Sequence, residues 1–274
     1  MARATKVNIG IAGCGAIGSR VAKSIQHDLS AQCRLTGIFD IDMDKAERLA
    51  KALRRREIVM RSLTGLIKNC DLMIEAVSAQ NTRQLIRHAL QAKKSVLSMS
   101  VGKLLHSPDL FALAQKNRCH LLLPSGAIAG IDAIKAASLA GIDRITLTSR
   151  KPVAAFSDNP YLTRKGIVLS KIKKETILFE GHVPDACKHF PKNINVAATL
   201  ALASRCPRKL IVRIVTSPDY TTNVHEVDLE GKFGRIRTRT DNLVCPDNPK
   251  TSYLAVLSGL QTLKQYCSGI LVGT

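Results

Sequence analysis

Apolar and polar positions in the first 124 residues follow two alternating textures. Short, mainly apolar runs at 7–12, 35–39, 72–77, 95–99 and 120–123 are separated by stretches at 19–27, 44–53, 82–92 and 108–116, where apolar residues return every three or four positions. The short runs predict buried strands and the longer stretches amphipathic helices. Strands separated by helices of this length imply a Rossmann-type, doubly wound parallel sheet.

After Pro124 the texture changes. Strand-like pieces at 145–149, 176–179, 210–216, 223–229 and 235–239 are interrupted by helical stretches at 131–139 and 194–203. The last three strands are expected to form an antiparallel meander, with Ser217-Pro218-Asp219 and Glu230-Gly231-Lys232 as its turns. This predicts a second α+β domain with a mixed or antiparallel sheet. The expected boundaries are 1–124 for the first domain and 125–247 for the second. The stretch 251–266, begun by Asn248-Pro249, reads as a long helix, and 248–274 is expected to pack back on the first domain.

At 274 residues and 45% hydrophobic content, the chain can bury a large core. No apolar run reaches eighteen residues and no secretory signal is evident, so no membrane contact and a cytoplasmic location are expected. Eight cysteines are scattered without a C-x-x-C spacing, which argues against a zinc site or a disulfide scaffold, and no metal is expected. The net charge of +20, from 41 Lys and Arg against 21 Asp and Glu, raises the question of nucleic acid. The charges are spread along the chain, with Arg54-Arg55-Arg56 the densest run, and aromatics are only 4%. A solvated basic surface that draws anionic small molecules is the expectation, with no nucleic-acid partner.

The strongest chemical motif is Gly13-x-Gly15-x-x-Gly18, lying between the first strand and the first helix. Gly13 permits the tight turn, Gly15 lets backbone approach a pyrophosphate, and Gly18 lets helix pack on strand. With Ala16 and Ile17 at the helix start, this predicts a dinucleotide cradle at a positive dipole end. Asp40, at the end of the second strand and 22 positions after Gly18, suits the ribose hydroxyls of NAD. It could equally cap the following turn, and Asp42 is close enough to share either role.

Asn193-Ile194-Asn195 opens an Ala-rich helix, where one asparagine can cap the helix and the other can present an amide to cofactor or substrate. Among seven histidines, His225 lies in an alternating strand that would share a face with Asn223 and Val227; His182 and His189 compete with it as the acid/base.

Three further segments, Pro124-Ser125-Gly126-Ala127-Ile128, the run from Phe190-Pro191-Lys192 through Asn193-Ile194-Asn195-Val196-Ala197-Ala198 to Leu200, and Asn248-Pro249-Lys250-Thr251-Ser252, resemble those of the L-aspartate dehydrogenase family. The resemblance implies a homodimeric enzyme that oxidises L-aspartate with NAD or NADP to iminoaspartate. That product either hydrolyses to oxaloacetate and ammonia or supplies the biosynthesis of NAD. By the same resemblance, His225 is the active-site residue, Ala127 and Asn195 join Gly13, Gly15, Ala16, Ile17, Gly18 and Asp40 as cofactor contacts, and the second domain carries catalysis and dimerisation. Two substrate carboxylates need donors, for which Lys192, Lys151, Lys250 and Asn193 are the candidates. An imidazole with an ordinary pKa near 6.5 is expected to act as base near neutrality. Ala129 stands where this family has a glycine, and Gly181-His182-Val183-Pro184 departs from its usual small polar segment. A homoserine-type or sugar-type dehydrogenase of similar architecture, and a non-catalytic NAD-binding protein, are the alternatives.

Overall fold

A computed structural model describes residues 6–77, 81–190, 195–246 and 248–273, with 248–250 described by their backbone alone. The chain divides into two compact units, one running to Pro124 and taking in Val256–Leu271, the other Ser125–Ala255.

The first unit contains β1 (Val7–Ala12), α1 (Ala16–His27), β2 (Cys33–Phe39), α2 (Met43–Ala52), α3 (Leu63–Lys68), β3 (Leu72–Glu75), α4 (Thr82–Gln91), β4 (Ser95–Ser98), α5 (Pro108–Lys116) and β5 (Leu121–Leu122). The five strands form one sheet in the order β2-β1-β3-β4-β5, parallel throughout. Its two faces are separate apolar layers. Ile9, Ile11, Leu35, Ile38, Leu72 and Ile74 pack with Val21, Ala22 and Ile25 of α1 and with Leu49 of α2. Met73 and Val96 pack with Leu66 of α3, Ile86 and Leu90 of α4 and Leu110 of α5. Each fully buried side chain of this kind contributes about 1.5–3 kcal/mol, and two buried faces explain why these strands read as unbroken apolar runs. Because β2 and β3 lie on opposite sides of β1, the crevice of the sheet opens at the carboxyl end of β1, where Gly13 follows. The α3 helix, capped by Ser62 Oγ accepting from the Gly65 N–H, has only six residues, too few for a visible helical period.

The second unit contains α6 (Ile131–Ala140), β6 (Ile142–Pro152), α7 (Pro160–Arg164), β7 (Thr176–His182), α8 (Val183–His189), α9 (Asn195–Ser204), β8 (Leu210–Ser217), β9 (Asn223–Gly231), β10 (Gly234–Asn242), and a short ribbon of β11 (Val244–Cys245) with β12 (Asn248–Ser252). The main sheet has the order β10-β9-β6-β8-β7 and is mixed, with β6 and β8 parallel and the other neighbours antiparallel. The expected three-strand meander is therefore corrected: β9 and β10 form a hairpin, but β6 lies between β8 and β9. The connector 218–222, turning on the Tyr220 N–H to Ser217 O bond, steps across β6. Five extended residues reach roughly 16 Å, more than the roughly 10 Å of two strand spacings, so this crossing is not strained.

The last helix, α10 (Tyr253–Ser268), begins later than the sequence suggests, because Asn248–Ser252 extends as β12 and the Tyr253 N–H then bonds to Leu243 O. Leu263 of α10 joins the core around β1. Neither α7 nor α8 was evident in the pattern; both are short and start with proline in the first turn, and α7 is capped by Asn159. No helix of the described residues is long and apolar enough to cross a membrane.

One face of the mixed sheet carries ion pairs between neighbouring strands. Arg235 and Arg237 meet Asp228, Arg239 meets Glu226 and Asp241, Arg213 meets Glu180, and Arg150 bridges Glu175 and Glu226. The opposite face carries His225.

Candidate functional site

The glycine turn in the first unit has the geometry of a phosphate cradle. Gly13 sits at φ +102°, and a Cβ there would stand 2.5 Å from Ala76 O, so only glycine fits. A Cβ on Gly18 would stand 1.8 Å from Gly13 O, which forces this position to be bare for α1 to close on the turn. At Gly15, by contrast, a Cβ would meet nothing within 4 Å. Gly15 is also the N-cap of α1, without a side-chain cap and without an acidic residue in the first turn. The open space beside Gly15 and the uncapped helix amino terminus, begun by Ala16 and Ile17, suit a pyrophosphate.

A pocket of about 450 Å³ extends from Gly13 and Gly15 past Asp40 to Ala76, Val77, Leu63 and Leu85. Asp40 Oδ2 accepts the Cys14 backbone N–H at 2.7 Å and Oδ1 accepts the Asp42 N–H at 3.0 Å. Asp40 thus ties the turn after β2 and lines the pocket, and each oxygen keeps a second lone pair that could take a hydroxyl. Asp42 is turned to Lys45 at 3.2 Å, and that pair holds the Asp42 carboxyl below its ordinary range. The apolar walls suit an adenine ring, so the residues present fit a dinucleotide.

Glu75 ends β3 beside this pocket, fully buried. Its carboxyl is met by the Val77 N–H at 3.0 Å, the Ser98 hydroxyl at 2.6 Å, the Ser100 N–H at 3.3 Å and the Ser100 hydroxyl at 2.9 Å. Ser100 Oγ also lies 2.8 Å from Val77 O. One hydroxyl hydrogen cannot serve both acceptors; a proton on Glu75 Oε1, donated to Ser100 Oγ, completes the chain to Val77 O. Burial raises the Glu75 pKa against the opposing effect of those hydrogen bonds, in keeping with a protonated acid. Glu75 thereby joins the loops after β3 and β4. It was missed in the sequence, although an acid closing an apolar strand was the available signal.

In the second unit, the register across β10, β9 and β6 places Thr240, His225 and Ser149 in one row. His225 is 4% exposed, and its Nδ1 lies 2.9 Å from Ser149 Oγ. Lys151 is two residues further along β6 than Ser149, hence on the same face and diagonal to His225. Burial, with the Lys151 charge nearby, pushes His225 down to about 3, and burial brings Lys151 down to about 8. The expectation of an imidazole titrating near neutrality is therefore corrected, because a buried imidazolium beside a lysine loses its hydration and meets a like charge.

Ala127 is fixed beside the same row. Its carbonyl accepts from Thr240 Oγ1 at 2.7 Å and from Asn242 Nδ2 at 3.1 Å, while Thr238 Oγ1 reaches Ala129 O at 3.3 Å. The segment that follows Pro124 is thus pinned to β10, and Ala127, His225, Ser149 and Lys151 form one group. His182 lies exposed on β7, three strands from β9. His189 packs among Tyr161, Phe179 and Phe190, so neither shares this row. Asn195 opens α9 and is exposed. Lys192 and Asn193 lie outside the described residues, as does the side chain of Lys250. Among the described residues, no cluster of three or more His, Cys, Asp or Glu is gathered for a metal.

The amino-acid sequence matches two known families. Residues 132–266 match the aspartate dehydrogenase C-terminal family and residues 13–124 the homoserine dehydrogenase NAD-binding domain family. The chain is 42% identical to the L-aspartate dehydrogenase of Methanosarcina mazei over 98% of its own length and all of the relative's. It is 38% identical to that of Methanococcus maripaludis over 98% of this chain and all of the relative. The fold is similar to the crystal structure of aspartate dehydrogenase from Thermotoga maritima, with a TM-score of 0.73 at 21% identity, covering 98% of this chain and 100% of the other. A homoserine dehydrogenase from Thiobacillus denitrificans follows with a TM-score of 0.60 at 14% identity, covering 96% of this chain and 74% of the other.

Proposed function

Because the chain belongs to the L-aspartate dehydrogenase family, we propose that it oxidises L-aspartate to iminoaspartate with NAD or NADP, the imine then hydrolysing to oxaloacetate and ammonia. The observation that carries this reading is the group of buried His225 and Ala127 with half-buried Lys151 on a unit matching the aspartate dehydrogenase C-terminal family. Gly13, Gly15, Gly18 and the start of α1 hold the pyrophosphate, and Asp40 holds the adenosine ribose. Asp40 opposes a 2′-phosphate, and Lys45, already paired with Asp42, gives that phosphate no unengaged cation, so NAD is favoured over NADP.

The nicotinamide, when bound, takes up the two electrons and the hydrogen that leave C2 of the substrate. The chain must hold two carboxylates and relieve the substrate ammonium of one proton, since a nitrogen without a lone pair cannot form the C=N bond. His225 presents a neutral imidazole and Lys151 an amine whose pKa lies near working pH. Lys192, Asn193, Asn195 and Lys250 complete the proposed set of contacts. Assembly as a homodimer through the second unit, a cytoplasmic location and supply of iminoaspartate to NAD biosynthesis complete the proposal.

The test is a spectrophotometric panel of amino and hydroxy acids with both cofactors. Reduced cofactor should form with L-aspartate; formation with homoserine or a polyol and none with aspartate overturns the proposal.

A further inference from the structure

Ser149 does more than locate His225. Its hydroxyl carries one hydrogen, the side chain is 4% exposed, and among the described residues the only polar side-chain or backbone atom placed to take that hydrogen is His225 Nδ1. A buried hydroxyl donor without an acceptor costs about 1–3 kcal/mol, so the hydroxyl donates and Nδ1 accepts. A neutral imidazole that accepts at Nδ1 carries its own hydrogen on Nε2. The other ring nitrogen is then a donor and not a lone pair.

With Nε2 protonated, the proton taken from the substrate has to go elsewhere. Lys151 is the titratable neighbour on the same face of the sheet, anchored where its strand is bonded on the far side by the Thr216 hydroxyl to Lys151 O at 2.8 Å. Resting on the aspartate dehydrogenase reading, we propose that Lys151 is the base that receives the substrate's ammonium proton, and that Ser149 is a positioning residue holding His225 as a neutral Nε2–H donor.

The charges around the pair agree. Lys151 is the one charged side chain among the described residues with a marked effect on His225, and burial lowers Lys151 itself. Arg150, Glu226 and Arg239 lie on the opposite face. A Lys151 amine near 8 is partly unprotonated at mildly alkaline pH, whereas an imidazole near 3 is too weak a base to remove an ammonium proton. The step balances as follows. The substrate N–H bond breaks and its proton moves to Lys151 Nζ. The freed lone pair forms the C=N bond as the C2–H bond breaks; the hydrogen and its electron pair would pass to the oxidised dinucleotide that the first unit would hold, which accounts for the two electrons lost by the substrate. Lys151 ends as an ammonium.

Two measurements test this, one of which does not depend on turnover. In the full-length protein with ¹⁵N-labelled histidine, the His225 signals at neutral pH should show an unprotonated Nδ1 and a protonated Nε2, and Ser149→Ala should abolish that fixed preference. A protonated Nδ1 in the wild type overturns the role of Ser149. For Lys151, Lys151→Arg keeps the cation but removes the base; kcat with aspartate should fall by about 10² or more, the scale of a lost acid/base, with KM changed only a few-fold. Lys151→Ala should regain turnover when small primary amines are added. Retained kcat in Lys151→Arg overturns the base assignment and makes Lys151 a carboxylate anchor. A wild-type enzyme that forms no reduced cofactor from aspartate overturns the family reading together with the role of Lys151, while the tautomer of His225 stands or falls on the ¹⁵N spectrum.

Discussion

Asp40 Oδ2 and the backbone N–H of Cys14 are joined at 2.7 Å, so the acid that lines the pocket also holds the glycine turn. Asp40→Ser should therefore do two things. Preference, read as the NAD to NADP ratio of kcat/KM, should move toward NADP because the acceptor and its repulsion of a 2′-phosphate are gone. Affinity for both cofactors should also fall by roughly ten- to a hundredfold, since a hydrogen bond to a charged group is worth about 1.5–3 kcal/mol. A ratio that does not move leaves Asp40 with a structural role only.

Gly15→Val and Gly18→Ala should separate binding from folding. The first puts its side chain into open space next to the helix amino terminus, so the protein should fold with its normal melting transition yet show no dinucleotide binding by calorimetry. The second places a methyl 1.8 Å from Gly13 O and should lower stability directly. Unchanged cofactor affinity in Gly15→Val contradicts the cradle.

Glu75 gives a pH-dependent signature. Its folded pKa is raised above the ordinary 4.5, so its contribution to stability is fully present below 4.5 and is lost as pH rises through the folded pKa. Glu75→Gln, neutral at every pH, should match the wild type near pH 4 and gain on it progressively toward alkaline pH in urea denaturation. A difference between the two proteins that stays constant with pH argues against a protonated Glu75.

His225 has the opposite sign. A base lowered from 6.5 to about 3 gives stability that is present above 6.5 and lost as pH falls toward 3, because the unfolded chain takes the proton first. Relative to His225→Gln, the wild type should lose up to about 1.4 kcal/mol per pH unit across that window. Parallel stability curves for the two proteins are the contrary outcome.

Much of this was legible in the sequence, and what was not shares one cause. The parallel sheet, the glycine cradle and Asp40 follow from local order along the chain: strand, turn, helix, strand, acid. The mixed sheet depends on which strands become neighbours, and the pattern of 210–216 says nothing of β6 lying between β8 and β9. The same non-local register brings Ser149 opposite His225 and Thr240 beside Ala127, so the partner, tautomer and acidity of the histidine were invisible although the residue itself was named. The short β12 displaced the start of α10 for a related reason, since its pairing with β11 overrides the helical period of 251–266.

The ion pairs on the far face of the mixed sheet bear on how ligands arrive. Arg150, Arg213, Arg235, Arg237 and Arg239 are each matched by carboxylates within bonding distance, so that face is locally neutral and its field fades over a short range. The surplus of +20 is therefore carried by the remaining surface, from which it projects an attractive potential toward any dianion in solution. Capture of a dicarboxylate or a dinucleotide should accordingly slow as ionic strength shortens the screening length from about 30 Å at 0.01 M to about 8 Å at 0.15 M, even where the chemical step is indifferent to salt.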